Sequence, residues 1–125
     1  MKHLMDVSSL VALLWENHEH HSAVKSWSAG KSLVLCPITE LGFVRVSSSP
    51  AHNATVEEAR EILADFIKAR APEFVAADLR VLDATAAPSS GKSTDWYLAD
   101  LAVAHKRKWA TLDAKAKHPA AIVIE

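Results

Sequence analysis

The segment LMDVSSLVALL, residues 4–14, runs from an apolar strand into a helix across a single acid, Asp6. Lys2 to Asp6 reads as a short strand. The helix that follows carries Leu10, Leu13 and Leu14 at helical spacing, with Ser8 or Ser9 placed to cap it. An acid at the mouth of an apolar strand serves no packing purpose, since an unpaired buried charge costs on the order of several kcal/mol. The pattern recurs. Leu33 to Cys36 is a continuous apolar strand, and Pro37 with Thr39 opens a helix toward Ser47 that carries Glu40 in its first turn. Trp109 to Leu112 is a strand ending at Asp113, and Ala121 to Ile124 is another.

Between these lie further helices. His20 to Ala29 reads as one, stopped by Gly30. Thr55-Val-Glu-Glu58 forms a capping-box pattern that launches a helix with Val56, Ala59, Ile62, Leu63, Phe66 and Ile67 on one face. In the helix from Thr94, Asp95 sits in the first turn, and Leu98, Leu101, Ala102 and His105 line one side. Pro72 to Gly91 is irregular: a short strand near Phe74–Val75, a helical turn near Leu79–Leu82, then a loop through Pro88–Gly91. Strands alternating with helices predict an α/β fold whose mostly parallel sheet is covered on both faces. Ligands of such sheets bind outside the carboxyl ends of the strands. Asp6 and Asp113 are at strand ends and Glu40 and Asp95 in first helical turns, so all four reach one edge. Gathered there they would repel one another without a divalent cation, which is the logic of a magnesium site acting on phosphate esters.

At 125 residues the chain is expected to form one domain, 1–125. Half its residues are hydrophobic, 23% are charged and the net charge is −1, so no global positive field announces a nucleic acid. The single Cys36 excludes an intramolecular disulfide. MKHLMDVSS lacks the apolar core of a signal peptide and no run reaches membrane-spanning length. The expectation is a cytoplasmic protein without a membrane partner.

The order LMDVSSLVALL, ITELGFVRVSSSP, TDWYLADLA and ATLD resembles the PIN-domain ribonucleases, specifically the VapC-type toxins of bacterial toxin–antitoxin pairs. Each motif alone is weak; together they cover nearly the whole chain, and ELGFVRVSSSP is characteristic of a mycobacterial-type branch. The resemblance implies a PIN-like fold with a parallel sheet of about five strands. It implies magnesium-dependent hydrolysis of RNA phosphodiester bonds leaving a 5′-phosphate, with manganese able to substitute. It implies a homodimer and a cognate antitoxin that inserts into the acidic groove. It carries the family's acidic positions onto Asp6, Glu40, Asp95 and Asp113. Asp6 and Asp95 are taken as direct metal ligands, with Glu40 and Asp113 acting through water or on a second ion.

Other residues are weighed against plainer roles. Ser8 and Thr111 flank the strand-end acids and could orient a carboxylate, though capping explains Ser8 equally well. Arg45, one turn beyond Glu40, is a phosphate-contact candidate with a surface ion pair as the plainer account. Lys92, Lys106, Arg107, Lys108, Lys115 and Lys117 surround the Asp95 and Asp113 motifs and could supply local positive charge to RNA. Trp96 could stack on a base, with packing the commoner use. Asp100, five residues after Asp95, falls well off its helical face. His18-Glu-His-His21 lacks the partners of a zinc site. Apolar helices such as Leu10–Leu14 and Val56–Ile67 are expected to leave a groove for an amphipathic partner segment. The rival readings are a catalytically inactive PIN-fold binding module, which retention of four acids argues against, and an aspartyl-phosphate enzyme, for which Asp6-Val-Ser lacks the paired acid.

Overall fold

Five parallel strands lie in the order β3-β2-β1-β4-β5 in the computed structural model, which describes residues 1–125. They are β1 (Lys2–Met5), β2 (Ser32–Leu35), β3 (Glu73–Phe74), β4 (Lys108–Thr111) and β5 (Ala121–Val123). The α-helices are α1 (Val7–Leu14), α2 (His21–Ser28), α3 (Pro37–Ser47), α4 (Val56–Arg70) and α5 (Ser93–Ala104). In the irregular segment the expected strand is the two-residue β3, and short 3-10 turns occupy Val81–Asp83 and Ser90–Lys92.

Strand residues alternate between two cores, because successive side chains point to opposite faces of a sheet. Met5, Leu33, Leu35 and Ala110 meet Leu10, Leu13, Val24, Phe43, Leu63 and Phe66 on the α1–α4 side. Leu4, Val34, Cys36 and Trp109 meet Leu98, Leu101 and Ala102 of α5 on the other. Burial on both faces explains why β2 is an unbroken apolar run. Gly42 lets two helices approach: a Cβ there would lie 2.4 Å from Val7 Cγ2, so α1 and α3 touch where the ELG motif has no side chain.

Two local expectations need correcting. Neither Ser8 nor Ser9 caps α1; Asp6 does, its Oδ1 accepting from the Ser9 amide at 2.8 Å. Ser8 is exposed, whereas Ser9 is buried with its hydroxyl directed at the Ala110 carbonyl. The α4 face is narrower than its periodicity suggests: Thr55 and Glu58 do form the capping box, and Ala59, Leu63 and Phe66 are buried, but Val56 and Ile67 are exposed. The expected groove beside α1 and α4 is present, lined by Leu13, Leu14, Ile62 and Phe66, and a second open apolar groove runs between α3 and α4 along Leu41, Val44, Leu63 and Ile67.

Candidate active site

The chain leaves β1 toward β2 on one side, while β4 pairs with β1 on the other, which makes the carboxyl ends of β1 and β4 the switch point of the sheet. Asp6 follows β1 directly, and its amide donates to the Ala110 carbonyl of β4 at 3.2 Å. Asp113 follows β4, its amide held by the buried Thr111 hydroxyl at 3.1 Å. Asp95 enters the same crevice from the first turn of α5.

These three acids feel one another. Burial and then the charge of Asp6, with a lesser push from Asp113, drive the Asp95 carboxyl up to about 6, against a downward pull from Lys92. Asp6 is 2% exposed and burial raises its pKa, opposed by Ser9 and Thr111 and assisted by Asp113. Asp113 goes the other way. Lys92 Nζ contacts its Oδ2 at 2.7 Å and the Lys115 amide donates to its Oδ1 at 2.9 Å, which together hold it below the usual carboxylate range. Lys92 therefore ion-pairs with one carboxylate and leaves the other two without a partner cation.

Glu40 stands apart. It is in the first turn of α3 after β2, hence on the same edge but one strand from the β1–β4 crevice. Burial raises its pKa, and no charge of the other three acids contributes. Its side chain borders the α3–α4 groove. Arg45 is exposed in the last turn of α3, away from the crevice.

The basic cluster divides. Lys92, Lys115 and Lys117 line a cavity with Asp95 and Asp113. Arg107 instead grips Glu73 through Nε at 2.6 Å and Nη2 at 2.9 Å, at the amino-terminal end of β4. Lys108 opens β4 and Lys106 precedes it, so these too belong to the opposite edge. Sequence proximity misleads here because α5, at ~1.5 Å per residue, carries the chain about 18 Å from one edge to the other.

Asp100 is off the site, as its helical offset predicts. Its Oδ1 pairs with His118 Nε2 at 2.6 Å, and it also accepts from the Thr85 amide. His118 Nδ1 accepts from the Ala120 amide at 3.1 Å, so the proton sits on Nε2 and is donated to Asp100. This partly buried pair escaped sequence reasoning, and no signal in the sequence marks residues 18 apart as partners. In the His18–His21 segment His18 Nδ1 already accepts from the His20 amide, and no group of three potential ligands forms there or elsewhere.

The fit to a divalent ion is nonetheless chemical. The donors are all carboxylate oxygens, suited to a hard cation, and burial, with mutual repulsion added, raises the pKa values of Asp6 and Asp95. Magnesium keeps several waters and needs one or two carboxylates plus substrate phosphate, so a closed three-ligand cage is not required.

A PIN-domain family model matches residues 4–122. Ribonuclease VapC44 of Mycobacterium tuberculosis is 36% identical over 123 residues, covering 90% of this chain and 87% of that protein. Ribonuclease VapC38 of the same species is 33% identical over 119 residues, covering 89% and 84%. Among solved structures, VapBC2 from Rickettsia felis, bound to a DNA fragment from their promoter, matches with a TM-score of 0.62 over 98% of this chain and 97% of that one, at 13% identity. Fold and sequence likeness agree: the chain belongs to the PIN-domain family, among its VapC-type members.

Proposed function

We propose that this protein is an endoribonuclease toxin that hydrolyses RNA phosphodiester bonds with magnesium and is held in check by a cognate antitoxin. One observation carries the reading: Asp6, Asp95 and Asp113 are gathered at the switch point, and Lys92 forms an ion pair with just one of them. The relatives named as ribonucleases support it. Asp6 and Asp95 would hold the ion directly, with Asp113 and Glu40 acting through water. When bound, magnesium supplies positive charge for the scissile phosphate and favours ionisation of an attacking water.

The protein's own groups hold the acids ready. The helix cap commits Asp6 Oδ1 and fixes its rotamer. Thr111, Lys92 and the Lys115 amide fix Asp113 from three sides. Asp95, with a pKa near 6, is mostly ionised at neutral pH yet costly to leave uncompensated. Water is the nucleophile in this reading, since no activated serine or cysteine lies among the crevice residues.

The antitoxin would lie along the α3–α4 groove, where Leu41 is 70% exposed and Glu40 stands at the border, and would present a basic side chain to the acids. A homodimer accompanies this reading. No helix is long and apolar enough to cross a membrane.

The test is cleavage of structured RNA by purified protein with magnesium or manganese, with and without chelator. Metal-dependent scission abolished by chelator is expected; cleavage unchanged in excess chelator removes the metal mechanism. Co-purification with the antitoxin should suppress cleavage, and removal of that partner's carboxyl-terminal segment should restore it.

A further inference from the structure

Beside the acids, between α5 and the β4–β5 connection, lies a cavity of about 430 Å³, a size that accepts a small planar ligand. Asp95 and Asp113 line it together with Trp96, which supplies aromatic surface, and with Lys92, Lys115 and Lys117. Trp96 is half-buried and braced edge-on against His118, ring centroids 5.3 Å apart, while Asp100 and the Ala120 amide hold that histidine on both nitrogens. The aromatic wall is therefore fixed before any ligand arrives.

These features specify a ligand. Lys117, which makes no ion pair, calls for an anion, and fixed aromatic surface calls for a flat ring. An unpaired nucleotide of single-stranded RNA offers both, whereas inside a duplex the base is stacked and its edges are hidden.

Resting on the nuclease reading, we propose that this cavity is a base-binding subsite, which holds an unstacked nucleobase flanking the scissile phosphate against Trp96, with Lys117 facing the neighbouring phosphate. The subsite sets where the RNA is cut, because a phosphate reaches the acids only when a base next to it is seated.

The test measures binding of labelled single-stranded hexaribonucleotides in chelator at fixed salt, the set placing all four bases at every position. An abasic unit is walked along each. Wild-type protein should show one position where the missing base costs roughly 5- to 150-fold in affinity, and flat behaviour elsewhere. Trp96→Ala should lose a similar factor on intact RNA and become indifferent to that abasic unit. The walk uses wild-type protein, so it decides the matter even if Trp96→Ala does not fold.

Equal losses along the walk, or a Trp96→Ala variant that still detects the missing base, overturn the subsite. So does a Trp96→Ala variant that weakens only the complex with the antitoxin, which would assign the cavity to a protein segment. Metal-dependent cleavage of the same RNAs separates the two readings. Cleavage with a flat walk leaves the nuclease and removes the subsite; a peaked walk without cleavage leaves the subsite and removes the nuclease.

Discussion

The two edges of the sheet treat their acids in opposite ways. At the amino-terminal edge Glu73 is contacted by Arg107 at 2.6 Å and by Lys2 at 2.8 Å, and these cations hold its carboxyl at about 2. At the carboxyl-terminal edge Asp6 and Asp95 have no ion-pair partner, and Asp95 is pushed up to about 6. One edge compensates its charge internally and is finished as folded. The other stores charge that the fold does not neutralise, which is where an external cation or a partner's basic side chain gains most.

The largest expected effect is catalytic. Asp6→Asn and Asp95→Asn should each lower RNA cleavage by more than about a hundredfold, beyond the range typical of residues that only orient metal ligands. Glu40→Gln, further from the crevice, should lose less, and Asp100→Asn less again. If Asp100→Asn abolishes cleavage while Asp95→Asn does not, the assignment of acids along α5 is wrong.

Next comes the contact that brings α1 and α3 together at the same edge. Gly42→Ala places a methyl 2.4 Å from the stiff, β-branched Val7. We expect a loss of about 1–3 kcal/mol in denaturant unfolding. A neutral result would mean that Val7 can move aside freely.

Asp95→Asn should then stabilise the metal-free protein at neutral pH. Its folded pKa near 6 exceeds the unfolded value of roughly 3.9, so the folded state holds the proton more tightly. Its contribution is fully present below about pH 4 and is lost as pH rises through 6. Removing the charge should gain about 1–2 kcal/mol in chelator, allowing for solvent screening. The variant should also lose most of the magnesium-induced rise in melting temperature. A metal response equal to wild type would take Asp95 out of the site.

The smallest effect belongs to the compensated edge, with the opposite sign. Glu73 has a lowered folded pKa, so its contribution is present above pH ~4.3 and is lost as pH falls toward about 2. Glu73→Gln should lower the melting temperature at neutral pH by roughly one to three degrees, with no change at pH 2 and no magnesium dependence. A magnesium-dependent shift there would erase the contrast between the edges.

Much of this was legible in residue order. The run from Leu4 through Asp6 to Leu14 specified strand, acid and helix, and the apolar Leu33–Cys36 run specified a strand buried on both faces. Periodicity and capping chemistry are local, so the elements and the edge carrying the acids could be read without coordinates. Local chemistry also hid some roles. Asp6 is both a helix cap and a candidate ligand, two uses that a sequence presents as alternatives.

What residue order established about this protein is therefore its α/β architecture, its PIN-type acid pattern and the sheet edge where those acids gather. Only the tertiary structure decided which of them share a crevice, that Lys92 neutralises Asp113 while Asp6 and Asp95 stay unpaired, and that Arg107 serves Glu73 instead. The physical reason is range. Helix and strand signals act over a few residues, whereas electrostatic coupling and desolvation depend on distances between segments far apart in the chain, which exist only once strands β1 and β4 lie side by side.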